Sequence, residues 1–428
     1  MYTTIREQLP GRDKATAPSS SGRRWLPRVS PTVYFLGLVS LLTDISSEMV
    51  SSILPLYLVL GLGFSPLQFG VIDGLYHGVS ALVKLAGGYS ADRWRRYKEV
   101  AALGYGMSAL AKIGLVAAGG AWGAIAVVIA FDRTGKGIRT APRDALVSLS
   151  TPREDLGTAF GVHRAMDTFG ALLGPIIAFS LLAFLPQRFD VLFYVSFLFA
   201  LLGVLALVLF VENREPGTEP TATKPKVTLR DAGRLLREPS FRSLTVIAAL
   251  LAVMTVSDGF LYLVVHQRSG LPMGVFPMLF VATALVYMIL AVPAGRLADR
   301  FGRGRVLFVG YTLLVAVYVL LMLPGSGGAA ELAIFLLLFG AYYAATDGVL
   351  MALASGLLPA PLRASGLALL TTGTAAARLS SSILFGALWA GVGQQPAMAV
   401  FMVGMAFSLA AAAILLRRMP AQPSAAPA

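Results

Sequence analysis

The chain has 428 residues, 56% of them hydrophobic and only 13% charged, with a mean hydropathy of +0.73. Soluble domains carry about 25% charged residues, so this composition excludes an ordinary water-soluble fold and points to a lipid bilayer. The formal charge of +13 is spread over alternate loops rather than gathered on one soluble domain or tail, which argues against a nucleic-acid partner. Zero cysteines exclude disulfides, thiol catalysis and cysteine-ligated metal.

Residues 1–32 form a polar, basic tail containing Arg23, Arg24 and Arg28. No apolar core region precedes the first span, so no cleavable signal peptide is expected and the first helix is expected to act as its own insertion signal. About 20 apolar residues cross a hydrocarbon core. Such stretches follow one another at 33–60, 67–90, 98–119, 121–142, 157–184, 188–211, 241–266, 275–298, 304–323, 330–355, 361–390 and 395–417. Arg93, Arg95, Arg96 and Lys98 follow the second span. Further basic residues come at Arg153, from Lys224 to Arg242, at Arg300, Arg303 and Arg305, at Arg363, and at Arg417 and Arg418, while the intervening loops 61–66, 119–123 and 391–396 carry almost none. By the positive-inside rule both termini are expected in the cytoplasm.

The one long break, residues 212–240, is rich in Pro, Thr, Glu and Lys and divides the spans six and six. The expected organisation is therefore an N-terminal six-helix bundle over 33–211, a cytoplasmic linker, a C-terminal six-helix bundle over 241–417 and a tail over 418–428. Within the linker, Thr228 to Asp231 has capping-box spacing for a short amphipathic helix on the membrane surface, with Leu235 and Leu236 as its apolar side.

The halves echo each other. After the second span comes Gly88-Tyr-Ser-Ala-Asp92-Arg93-Trp-Arg-Arg96, and after the eighth comes Gly295-Arg-Leu-Ala-Asp299-Arg300-Phe-Gly302-Arg303, 207 residues later. Leu54-Pro-Leu-Tyr57-Leu58 similarly resembles Gly259-Phe-Leu-Tyr262-Leu263. Two six-helix repeats about a midplane site are a transporter architecture, because the halves can rock about a fixed site. The chain here resembles the major facilitator superfamily, whose signature between helices 2 and 3 is G-x-L-A-D-R-x-G-R-[KR]. The second copy matches nearly all of it; the first has Ser90 in the Leu position and Arg95 in the second Gly position. A cytoplasmic Asp beside several Arg can latch helix ends by ion pairing, and the glycine permits a tight turn. Gly88, Asp92, Arg93, Arg96, Gly295, Asp299, Arg300 and Arg303 are accordingly the expected gating loops.

Two further motifs carry the resemblance. Arg133-Thr-Gly-Lys136-Gly137 fits the R-x-x-x-G core of the family's helix-4 motif, whose Arg is associated with proton coupling. Gly170-Ala-Leu-Leu-Gly174-Pro175 fits the G-x-x-x-G-P core associated with antiporters; small-xxx-small is also a general packing motif of membrane helices, and both readings stand. The resemblance covers residues 33–417. It implies an all-α integral membrane fold of two six-helix bundles related by an internal repeat, with both termini cytoplasmic.

Charges at the bilayer centre cost about 2.5–3.5 kcal/mol on insertion scales, so they usually line a cavity or pair with each other. Asp44 and Glu48 share one face of helix 1 with Ser51 and Ser52; Asp73, His77 and Lys84 share a face of helix 2. Helix 4 carries Asp132, Lys136, Arg139 and Arg143 on one stripe, with Arg133 about 100° around. Helix 5 adds His163, Arg164 and Asp167. The expected coupling set around the central cavity is Asp44, Glu48, His77, Asp132, Arg133, Lys136, Arg164 and Asp167, with signs that nearly balance. Arg139 and Arg143 are expected near the cytoplasmic mouth, as topology anchors. Asp44, Glu48 and Arg133 also admit a second reading, a buried ion network holding helices 1 and 4 together. The second half offers only Asp258, Asp347 and Arg378, its walls being otherwise Ala, Leu, Met and aromatic. A division of labour is expected: charge switching in the first half, adaptable apolar contact with the solute in the second. Pro55, Pro175 and Pro293 are expected to shape helices.

These features point to a secondary transporter of a small solute, working by alternating access as a monomer in a bacterial plasma membrane. The leading expectation is proton-coupled antiport with efflux. An importer or exchanger of a polar or anionic metabolite, using Lys136, Arg139 or Arg164, is the second. A membrane-embedded enzyme or sensor is a poor third: no H-E-x-x-H, Walker A or G-x-S-x-G motif occurs, and no cofactor or metal is expected.

Overall fold

A computed structural model of the chain describes residues 29–94, 96–152, 155–213, 235–325, 327–359 and 362–417. The tail arginines Arg23, Arg24 and Arg28, the basic positions Arg95, Arg153 and Arg418, and the expected linker helix at Thr228 to Asp231 lie outside them. Every long element described is an α-helix. The first six are α1 (Pro31–Pro55), α2 (Pro66–Trp94), α3 (Tyr97–Ala118), α4 (Trp122–Leu149), α5 (Leu156–Phe184) and α6 (Phe189–Phe210). The seventh span is two helices, α7 (Pro239–Val253) and α8 (Asp258–Ser269). There follow α9 (Phe276–Phe301), α10 (Arg303–Met322), α11 (Ala329–Leu357), α12 (Arg363–Val392) and α13 (Gln394–Arg417). Helices suit a bilayer because each satisfies its own backbone polar groups.

Ten of the twelve spans are long and apolar enough to cross a membrane on hydropathy alone. The other two are α2 and α4, which carry the densest charge. Their length and place in the bundle make them spans all the same, because α4 packs against both α2 and α3 and its charges pair inside the bundle. Around the outside, large apolar side chains such as Phe407 and Ile289 stand 72% and 71% exposed, as expected where the neighbour is lipid.

Within the first half α1 packs on α5 and α6, and α3 and α2 on α4; within the second, α11 packs on α9 and α10, and α7 on α12 and α13. The halves meet along α2 with α12 and α5 with α9. The α2–α12 seam depends on glycine. A Cβ at Gly74 would lie 2.9 Å from the Leu379 carbonyl oxygen, one at Gly386 would lie 2.5 Å from that of Pro66, and one at Gly70 would strike that of Ser382. This seam closes the end of the bundle where α2 begins and α12 ends. At the opposite end, which carries the Asp-Arg turns, a Cβ on Gly161, Gly348 or Gly373 would meet nothing within 4 Å. The space between the halves opens there.

Three local features follow from sequence. Pro55 cannot donate a helical hydrogen bond, and α1 continues beyond it as a π-helical turn over Leu56–Gly61. Gly302, at φ +99, is the single residue joining α9 to α10, a backbone conformation that a side chain resists. Leu235 tucks against Phe241 and Leu358, whereas Leu236 is exposed.

The single seventh span expected over 241–266 is broken at 254–257. Tyr318 accepts a hydrogen bond from the Val256 N–H at 2.8 Å and donates one to the Met254 carbonyl at 3.1 Å, while Ser381 donates to the Thr255 carbonyl at 2.6 Å. Neighbouring hydroxyls thus take the place of the helical bonds the break gives up, which is what lets it persist at membrane depth.

Candidate functional site

A cavity of about 1120 Å³ lies between the halves. From the first half it is lined by Glu48 of α1, His77 of α2 and Arg164 of α5; from the second by Asp258 of α8, Asp347 of α11 and Arg378 of α12. A chamber of about 320 Å³ beside it shares Glu48, His77 and Asp258 and adds Asp73 and Lys136. Of the eight residues expected around the central cavity, Glu48, His77, Lys136 and Arg164 thus line one or both spaces.

The other four belong to buried ion networks. Asp132 is held by Lys112 Nζ at 2.7 Å, by Arg133 Nε at 2.8 Å and by Arg133 Nη2. Arg133 also lies over the Tyr76 ring, its guanidinium carbon 3.9 Å from the centroid. This triad joins α3 to α4 and does not line the cavity, in contrast to the expected placement of Asp132 and Arg133. Asp44 and Asp167 face each other across α1 and α5. Asp44 lies 4.0 Å from Arg139, and Asp167 lies 3.6 Å from Arg143 and 3.0 Å from Arg164. Arg143 also reaches Asp144 at 3.0 Å and the Ser40 hydroxyl at 3.3 Å, and Ser40 in turn hydrogen-bonds His163.

Arg139 and Arg143 are therefore not topology anchors at a mouth: they are 3% and 8% exposed and sit inside the first half. The cause is the length of α4, which runs to Leu149 rather than ending near residue 142, so both arginines lie deeper than the expected boundary put them.

The Gly170 and Gly174 motif explains how α1 and α5 come together. A Cβ on Gly174 would lie 2.8 Å from the Ile45 carbonyl oxygen and 2.9 Å from Glu48 Cβ, and one on Gly170 would strike the Leu41 carbonyl. With Pro175 inside the helix, this stretch of α5 lets the carboxylate face of α1 approach closely enough for Asp44 to meet Asp167.

In the second half Asp258 opens α8 and accepts a 2.5 Å hydrogen bond from the Tyr343 hydroxyl. The cavity wall there includes Tyr262, Tyr287, Tyr311, Thr283, Thr346 and Thr374. Ala252, Phe280, Ala284, Met288, Leu350 and Met351 stand among them, as the expected Ala, Leu, Met and aromatic wall has it, and the hydroxyls of Thr346 and Thr374 donate to carbonyls of their own helices. Asp73 ties the halves together: it accepts a 2.5 Å bond from Ser382 and stands 3.8 Å from His77.

At the open end, Asp299 pairs with Arg303 at 3.3 Å, and Arg303 donates to the Ala352 carbonyl at 3.0 Å, fastening the α9–α10 turn to α11. Arg300 lies over Phe301, and Gly295 is in α9. In the first copy Gly88 and Arg93 are within α2, Arg96 caps α3 and is exposed, and the side chain of Asp92 is not among those described.

Sequence reasoning missed Lys112, which stands in α3 well past the Lys98 and Glu99 of its first turn and shares Asp132 with Arg133. It also missed Arg268, which pairs with Glu331 at 2.9 Å and donates to the carbonyls of Leu320, Leu321 and Leu323. The signal available for Lys112 was its position midway along a span, where an unpaired charge is costly.

Comparison with known proteins agrees with this architecture. The family model for the Major Facilitator Superfamily matches residues 36–285 and 270–428. The chain is 31% identical over 371 residues to an uncharacterized MFS-type transporter of Methanocaldococcus jannaschii, covering 84% of this chain and 89% of that one. It is 27% identical over 385 residues to an uncharacterized protein of Mycobacterium tuberculosis, covering 88% and 89%. Among solved structures, the nucleoside transporter NupG superposes with a TM-score of 0.75 at 15% identity, covering 90% of this chain and 98% of that one. A bacterial homolog of the human lysosomal transporter Spinster, inward-facing and unoccupied, superposes with a TM-score of 0.70 at 14% identity, covering 90% and 96%.

Proposed function

Because the chain belongs to the major facilitator superfamily, whose members are multi-pass membrane transporters of small molecules, we propose that it is a proton-coupled antiporter exporting a small solute. It works by alternating access, as a monomer in a bacterial inner membrane. The observation that carries this reading is the pair of carboxyl groups, Asp44 and Asp167, that α1 and α5 bring together beside Arg139 and Arg143. Two carboxyl groups held side by side favour one proton between them, and such a pair gains and loses its proton as a unit. Arg139 and Arg143 flank it. One turn along α1, Glu48 opens into the cavity, accepting among the described residues only the Ser51 hydroxyl, at 2.7 Å.

When the open end closes, α1 moves against α4 and α5, and the distances from these carboxyls to their arginines change with it. Proton occupancy is thereby linked to the side on which the cavity opens. A solute that pairs with Glu48 or Asp258 competes with protons for the same oxygens. Competition, rather than joint occupancy, is the arrangement an antiporter needs, and an inward proton gradient then drives the solute outward. Proteoliposomes test this with a ligand found by thermal-shift screening of a metabolite and drug library. It should accumulate in vesicles that are acid inside; accumulation in vesicles that are alkaline inside contradicts antiport.

A second reading, an importer or exchanger of a polar or anionic metabolite, is favoured by Lys136 and Arg378, which have no ion-pair partner among the described residues. It requires counterflow without a proton gradient, and it fails if neutralising Lys136 and Arg164 leaves activity intact.

A further inference from the structure

Most cations inside this bundle have a carboxylate within 4.0 Å. Lys112 and Arg133 share Asp132, Arg139 faces Asp44, Arg143 reaches Asp144 and Asp167, and Arg268 holds Glu331. On the wall of the large cavity Arg378 is different. It stands midway along the 30-residue α12, half-buried, and among the described residues nothing forms an ion pair or hydrogen bond with its guanidinium; Asp258, which shares a small pocket with it, attracts it from farther off. A bare cation at that depth needs water or a ligand.

The same wall carries carboxylates in the same condition. Among the described residues Glu48, from α1, accepts only the Ser51 hydroxyl and forms no ion pair, Lys136 and Arg133 attracting it from farther off, and Asp347, from α11, is exposed and forms none. Between these charges the surface is apolar, with Phe280, Tyr287, Met288 and Leu350. A solute bearing one charge would answer one sign and leave the other bare, and an uncharged solute would leave both.

We infer that the transported solute is a zwitterion of amino-acid type, whose acidic group pairs with Arg378 and whose ammonium pairs with Glu48 and Asp347, its apolar side chain lying on Phe280 and Tyr287. This rests on the proposed function only in taking the large cavity as the solute's site. The planar guanidinium presents two parallel N–H donors that match a carboxylate, which gives Arg378 orientation as well as charge. Because Glu48 and Arg378 come from opposite halves, a solute joining them draws the two bundles together as it binds.

Four probes sharing one side chain separate the possibilities: phenylalanine, carrying both charges; phenylalaninamide, the cation; N-acetylphenylalanine, the anion; and N-acetylphenylalaninamide, carrying neither. Binding to the purified full chain is read by calorimetry and thermal shift. Phenylalanine should bind at least about tenfold more tightly than each of the other three, equivalent to about 1.4 kcal/mol. Arg378→Gln should erase its advantage over phenylalaninamide, Arg378→Lys should restore part of it, and Glu48→Gln or Asp347→Asn should erase the advantage over N-acetylphenylalanine. These are ratios within one variant, so partial loss of folded protein does not affect them.

The inference is overturned if a singly charged or neutral probe equals phenylalanine, or if Arg378→Gln leaves the ratios unchanged. It is also overturned if none of the four binds up to about 10 mM, beyond the usual range for enzyme substrates. Zwitterion preference without accumulation under a pH gradient keeps this inference and removes the antiport. Gradient-driven transport of a ligand indifferent to Arg378 does the reverse.

Discussion

Replacing Asp132 by Asn separates a structural role from a coupling role, because the geometry makes the two outcomes different. The carboxylate is the shared counter-ion of Lys112 and Arg133, and all three are 3% exposed or less. The amide keeps the shape but leaves two buried cations without an opposite charge. Removing one partner of a buried ion pair costs about 3–5 kcal/mol, and Asp132→Asn belongs at the upper end because two cations lose their partner. At roughly 2–4 °C per kcal/mol for a bundle of 150–250 residues, the melting temperature should fall by on the order of 10 °C. Lys112→Met should cost less, because Asp132 keeps Arg133. The double variant should be less destabilised than the singles sum to, since contacting groups are not additive. Thermal unfolding in detergent, followed by near-ultraviolet circular dichroism, reads all three, and transport by the folded fraction of Asp132→Asn should persist. A variant with wild-type melting but no transport would refute the reasoning and return Asp132 to the coupling machinery.

Other expectations follow from single contacts. Gly174→Val should push α1 from α5, at an overpacking cost of about 1–3 kcal/mol, and should weaken the pH dependence of transport by parting Asp44 from Asp167. Gly302→Ala should lower the melting temperature, since a non-glycine residue at φ +99 costs about 1–3 kcal/mol. By contrast Gly295→Ala, in open space within a helix, should be neutral or stabilise by about 0.4–1 kcal/mol; comparing the two melting curves checks both. Because the native chain has no cysteine, single-cysteine labelling needs no background removal. Thr371→Cys on the open wall should react rapidly with a maleimide, and Ser382→Cys in the closed α2–α12 seam should not.

The order and number of spans were legible because hydropathy and alternating basic loops are one-dimensional signals. The Asp-Arg repeat made the two halves visible as well. What escaped was whatever depends on a second helix. The break at 254–257 lies in an apolar run with no proline, and it exists because Tyr318 and Ser381, distant in sequence, hydrogen-bond the freed backbone. Helical spacing assigned the charges of α4 to faces, yet could not say that Asp132 turns to Lys112 on α3 while Lys136 turns to the smaller chamber. Arg139 and Arg143 were misplaced because polar residues near a span's end mask how far its helix continues. Asp258, Asp347 and Arg378 stood out as charges in apolar surroundings, and all three line the large cavity. The tyrosine and threonine hydroxyls around them did not stand out, because such residues are common throughout membrane helices.

The most direct test of the account measures solute accumulation in proteoliposomes containing the wild type and the Asp44→Asn, Asp167→Asn double variant, using a ligand that binds the purified protein. With vesicles acid inside, the wild type should concentrate the ligand against its gradient. The double variant should still exchange internal for external ligand but should fail to concentrate it. Equal accumulation by both proteins, or accumulation that requires vesicles alkaline inside, would contradict a proton antiport that runs through the Asp44 and Asp167 pair.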